Sequence, residues 1–130
     1  MTDFETSIRV RYAETDAMGV AHHSSYFIWL ELVRVEWLRF LGLDYKQMEA
    51  DGFALPVVEA HLQYKSPVFF DDHIKIILRS PVEKLHARFT LTYTLSRQDL
   101  PIAKGYTVHA FINRQRQLIK PPAFFLERIN

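Results

Sequence analysis

The order of hydrophobic and polar positions divides the chain into one early strand, one long apolar helix and a succession of later strands. In residues 7–12, Ile8, Val10 and Tyr12 point one way and Arg9 and Arg11 the other, the two-residue period of a half-buried strand. Residues 13–23 hold Asp16, Gly19 and the pair His22-His23 without a sustained period, and read as a structured loop. With Ser24 or Ser25 as its cap, a helix follows: Tyr26, Leu30, Val33, Trp37 and Leu41 recur every three to four residues, and Gly42 ends the run. Phe27, Ile28, Leu38 and Phe40 widen the apolar surface beyond one stripe, so this helix is expected to be largely enclosed. Asp44 opens a second, short helix over about 45–51, closed at Gly52.

Strands follow. Residues 53–64 and 73–83 are rich in Val, Ile and Leu, with Pro67 and Asp71-Asp72 as the break between them. Leu85, Ala87, Phe89, Leu91, Tyr93 and Leu95 alternate with polar residues in the cleanest two-residue period of the chain, and 102–113 repeats it less cleanly. Pro121-Pro122 then interrupts, and 123–129 forms a short terminal helix. The expected class is α+β: a single domain over 1–130, in which one curved antiparallel sheet of five or six strands wraps round one long central helix. Long strands leave an unpaired edge that invites a second copy, so at least a dimer is expected.

Composition narrows the chemistry. Among 130 residues, 16 basic side chains stand against 15 acidic ones, a net charge of +1, and no basic run occurs, which argues against a nucleic-acid partner. The absence of cysteine removes disulfides, thiolate metal sites and a cysteine nucleophile. No apolar run approaches the roughly 18 residues needed to cross a bilayer. The first residues, Met-Thr-Asp-Phe-Glu, are acidic where a secretory leader would be basic, so a soluble cytoplasmic protein is expected.

The loop is where chemistry concentrates. Thioester hydrolysis needs a carboxylate or other base near the carbonyl carbon and donors where charge develops on oxygen. Asp16 lies seven residues before His23, and a loop of that length can return its carboxylate to the first turn of the helix, where free N–H groups and the helix dipole favour an anionic oxygen. Asp16 would act either as nucleophile, through a mixed anhydride, or as general base on water. The bland alternative is that Asp16 caps a turn.

The run Tyr12-Ala13-Glu14-Thr15-Asp16-Ala17-Met18-Gly19-Val20-Ala21-His22-His23-Ser24-Ser25-Tyr26 resembles the loop of the 4-hydroxybenzoyl-CoA thioesterase family, especially its bacterial Tol–Pal-associated acyl-CoA branch. Glu14, Thr15, Asp16, Gly19, Val20, His23 and Tyr26 match, and Tyr64-x-x-Pro67 followed by Asp71-Asp72 is similar to the family's second motif. The resemblance implies a hotdog fold and an acyl-CoA thioesterase that needs no cofactor or metal. It implies Asp16 as the catalytic residue, the backbone N–H at His23 as the polarising donor, and Gly19 allowing close approach of the loop to the acyl group. It further implies a homodimer or homotetramer with the site at the subunit interface, one chain's loop meeting the neighbour's strand near 63–67. Tyr26, Phe27 and Leu30 are then expected to line the pocket, and Lys65, Arg88, Arg97, Lys104, Arg114 and Arg116 are candidates to meet the phosphates of coenzyme A.

Other readings stay open. A His22–His23–Asp16 metal site would need a third histidine at useful spacing. Glu31 and Arg34, like Glu36 and Arg39, are spaced for ion pairs along the helix, and Glu31 is the competing catalytic carboxylate. His61, His73, His86 and His109 read as wet-face or internally satisfied residues. Two alternative functions are a carrier-protein thioesterase and an acyl-CoA-binding domain without catalysis.

Overall fold

The computed structural model describes residues 3–81 and 85–129. Five strands form one antiparallel sheet: β1 (Phe4–Arg9), β2 (Val57–Tyr64), β3 (His73–Arg79), β4 (Arg88–Arg97) and β5 (Leu100–Ala110). Their order is β1-β3-β4-β5-β2, so β1 and β2 are the edges. Among the described residues three α-helices accompany them: α1 (His23–Phe40), α2 (Tyr45–Ala50) and α3 (Ala123–Ile129).

The sheet buries one face against α1. Ile74, Ile76 and Leu78 of β3 and Phe89, Leu91, Tyr93 and Leu95 of β4 join Trp29, Leu30, Val33, Trp37 and Leu38 of α1 in a single core. Each such side chain removed from water contributes about 1.5–3 kcal/mol, which holds this single helix in the concavity. Phe125 of α3 closes one end against Trp37, Phe89 and Phe111. This is the hotdog arrangement expected from the sequence.

Several boundaries differ. The first strand ends at Arg9 rather than Tyr12, because residues 12–14 wind into a 3₁₀ turn; Val10 stays buried, but Tyr12 is 77% exposed instead of joining Ile8 inside. α1 is capped by His22, whose Nδ1 accepts from the N–H of Ser24, not by a serine. The strand expected over 53–64 starts at Val57. That over 73–83 ends at Arg79, and Glu83 lies outside the described residues. β4 starts at Arg88 rather than Leu85, and β5 runs from Leu100 to Ala110 rather than from 102 to 113. In the single chain α1 is not fully enclosed: Ile28, Leu32 and Phe40 are exposed.

Candidate active site

Between β1 and α1 the chain folds into a miniature hairpin. Thr15 and Ala21 pair across it, and the N–H of Asp16 donates to the Val20 carbonyl at 2.9 Å. At its tip the N–H of Gly19 donates to the Asp16 carbonyl at 2.9 Å, and Gly19 has φ +82°, a conformation that favours glycine. Within the chain the reason for glycine is conformational, since a Cβ there would meet no protein atom within 4 Å. The half-buried carboxylate of Asp16 accepts from the N–H of Met18 through Oδ1 at 2.8 Å. The turn-capping role weighed for Asp16 is thus real, but it uses one oxygen; among the described residues no hydrogen bond reaches Oδ2.

The hairpin delivers the chain to the start of α1, where the N–H groups can be accounted for one by one. Ala21 donates to the Val68 carbonyl at 2.8 Å, His22 to Glu14 at 2.8 Å and Ser25 to His22 at 2.9 Å. The N–H of Ser24 donates to the His22 ring. Among the described residues, that of His23 donates to nothing. An unpaired N–H at the positive end of an 18-residue helix is a ready donor for a developing oxyanion.

That N-terminus opens on a groove of about 310 Å³ lined by Ala21, His23, Tyr26, Tyr64, Lys65, Ser66 and Pro67. Tyr64 donates from its hydroxyl to the His23 carbonyl at 3.0 Å and packs edge-on against Tyr26, with ring centroids 4.8 Å apart. Burial raises the pKa of both phenols, with Tyr64 adding to the effect at Tyr26, so both remain neutral donors at physiological pH. Of the expected site residues, His23, Tyr26 and Lys65 share this groove, whereas Asp16 and Gly19, on the adjoining hairpin, are not among its lining. The segment 64–67 of the same chain meets the helix terminus here. Leu30 is fully buried in the core and does not line the groove, and neither does Phe27, which is half-buried. The other proposed phosphate partners are elsewhere or engaged: Arg97 pairs with Asp72 at 2.6 Å, and Arg114 donates to the Ala50 carbonyl at 2.9 Å. Arg88 and Lys104 face separate depressions. Tyr64 itself was signalled by Tyr64-x-x-Pro67, but its bond to His23 carries no sequence signature.

A second cavity, also about 310 Å³, lies farther along α1. Glu31, Arg34 and Val35 line it together with Leu55, Phe89 and His109. Glu31 and Arg34 do not form the expected ion pair, whereas Glu36 and Arg39 do. Arg34 instead donates to the Tyr93 hydroxyl at 3.4 Å; Tyr93, Thr107 and His109 continue the chain at 2.6 and 2.8 Å, and the other ring nitrogen of His109 meets the Leu55 carbonyl at 3.2 Å. Burial first, and the Arg34 charge second, push the His109 pKa down to about 4. The competing carboxylate, Glu31, therefore faces a different cavity from the His23 N–H. Among the described residues no group of three His, Asp or Glu side chains is placed to hold a metal ion, and no helix is long and apolar enough to cross a membrane.

Comparison with known proteins agrees with this fold. Residues 10–129 match the family model described as the thioesterase-like superfamily, and the chain belongs to that superfamily. It is 36% identical over 121 residues to a protein of Aquifex aeolicus that carries the name "Putative esterase", covering 92% of this chain and 91% of that one. It is 35% identical over 75 residues to the acyl-CoA thioester hydrolase YbgC of Escherichia coli O6:H1, covering 58% of this chain and 56% of that one. The solved structure of a DHNA-CoA thioesterase from Staphylococcus aureus superposes with a TM-score of 0.89 at 28% identity, covering 98% of this chain and 86% of that one.

Proposed function

We propose that the protein hydrolyses acyl-CoA thioesters to a carboxylic acid and free coenzyme A at the junction of the Asp16 hairpin and the start of α1. The observation that carries the reading is the unengaged N–H of His23, flanked by amides that all have acceptors, at a residue that lines a groove and directly follows the hairpin bearing Asp16, whose carboxylate has one oxygen to spare. In this reading the thioester carbonyl oxygen accepts from that N–H. Asp16 either attacks the carbonyl carbon, giving an anhydride that water opens, or takes a proton from water as it attacks. In both routes the C–S bond breaks and the CoA sulfur leaves as thiolate, which is then protonated. Lys65 supplies positive charge at the groove for the phosphates of coenzyme A, and Tyr26 with Tyr64 forms the wall.

Cytoplasmic action and self-association are part of the same reading. β2 is a sheet edge whose residues are exposed on both faces, including Val57 and Val58, and α1 exposes Ile28 and Leu32; a second copy, in a dimer or tetramer, would cover such surface. Measuring thiol release from short, long and aryl acyl-CoA substrates tests the function. Turnover of at least one is expected. Failure on all of them, with hydrolysis of the same acyl groups on a carrier protein, would transfer the activity to carrier-bound substrates; binding without any hydrolysis would make the protein an acyl-CoA-binding domain.

A further inference from the structure

Glu14 takes no part in the chemistry proposed above, yet its hydrogen bonds reach the segments on both sides of the Asp16 hairpin. It is a buried carboxylate on the 3₁₀ turn that precedes the Asp16 hairpin. Its Oε1 accepts from the backbone N–H of Arg11 at 2.7 Å, and its Oε2 from the Trp29 indole at 2.9 Å and the Arg11 guanidinium at 3.1 Å. Its main-chain carbonyl accepts from the N–H of His22 at 2.8 Å and the hydroxyl of Ser25 at 2.9 Å. One residue thus joins the exit of β1, the cap of α1, its first turn and its second turn.

The arrangement requires a carboxylate. Three donors converge on two oxygens, and an amide in their place would offer one oxygen and turn an NH₂ group toward a backbone or indole N–H, a buried donor–donor contact. Burial alone would raise the pKa of Glu14, but the hydrogen bonds from the Arg11 backbone, the Arg11 side chain and Trp29 outweigh it and hold the carboxyl below its usual range. It is therefore a fixed anion at physiological pH.

We propose that Glu14 is a positioning residue, which clamps the Asp16 hairpin and the N-terminus of α1 into one rigid unit so that the Asp16 carboxylate and the His23 N–H keep their separation during turnover. The inference rests on the roles proposed for Asp16 and His23. Its consequence is kinetic. Misplacing a catalytic group by about an ångström slows chemistry by up to roughly a hundredfold while leaving distant binding contacts intact. A part that merely supports the fold lowers stability without changing the rate of the molecules that remain folded.

The test uses the intact protein with an acyl-CoA that the wild type hydrolyses, assayed well below the Tm of each variant. Glu14→Gln is expected to lower kcat by about 10- to 100-fold with KM changed by less than about twofold. Trp29→Phe, which removes the indole donor and also trims a buried ring that packs on Tyr26, is expected to lower kcat by a smaller factor. The double variant is expected to be no slower than Glu14→Gln, because both changes break the same clamp. A Glu14→Gln enzyme with near-wild-type kcat and a lowered Tm would overturn the proposal, as would losses that simply multiply. If Glu14→Gln does not fold, Trp29→Phe decides: reduced kcat at unchanged KM supports the clamp, and unchanged kcat refutes it. Asp16→Asn run alongside separates the two claims, since an active Asp16→Asn enzyme defeats the reading of Asp16, whereas an inert one beside a fully active Glu14→Gln defeats only the clamp.

Discussion

The two oxygens of Asp16 are unequal, one fastened to the Met18 N–H and the other without a partner among the described residues, so turn capping and catalysis are compatible in one side chain. His109 is the clearest contrast. Its burial, and the Arg34 charge beside it, lower its pKa to about 4, while the unfolded chain returns it to 6.5. The unfolded state then binds more protons between those values, so His109 contributes stability that is fully present above pH 6.5 and is lost as the pH falls towards 4. The shift corresponds to about 3 kcal/mol. Urea midpoints measured at pH 7 and pH 4.5 should therefore drop more for the wild type than for His109→Gln; equal drops would show that His109 is not the titrating group. Asp16 was legible because a local motif surrounds it. His109 was not, because Arg34, Tyr93, Thr107 and Leu55 come from separate elements and no spacing along the chain announces their meeting.

Legibility at the scale of elements followed the strength of the local period. β4 alternates strictly, and its Phe89, Leu91, Tyr93 and Leu95 are all buried, as the pattern predicts. The first strand fails at its end because the buried carboxylate of Glu14 draws in the Arg11 N–H and turns Tyr12 outward, a tertiary pull that alternation does not encode. The cap of α1 was misread because a histidine ring takes the place usually filled by serine. In β5, Gly105 faces β2 so closely that a Cβ would lie 2.0 Å from the His61 carbonyl oxygen and 2.9 Å from Leu62 Cα. Backbone cannot yield as a side-chain tip can. Gly105→Ala should therefore cost about 3 kcal/mol or more in urea unfolding, and a loss below about 1 kcal/mol would show that β2 and β5 separate easily.

For the whole molecule, the fold and the existence of an unpaired edge were readable from one long apolar helix and a set of alternating strands, whereas the residues that carry the uncovered surface were not. β2 presents both faces and an open edge, and α1 leaves Ile28 and Leu32 uncovered, features that appear only once the sheet order is known. Light scattering should report a dimer or larger assembly for the wild type and a smaller species for Val58→Glu, which places charge on that edge; a wild-type monomer with full activity would remove self-association from the account. The central claim is that Asp16 works on a carbonyl polarised at the start of α1. Steady-state thiol release by Asp16→Asn tests it most directly. With Tm and KM near those of the wild type, the account predicts kcat lower by at least about a hundredfold, the scale of a lost acid–base or nucleophilic group; turnover within about tenfold of the wild type would contradict it.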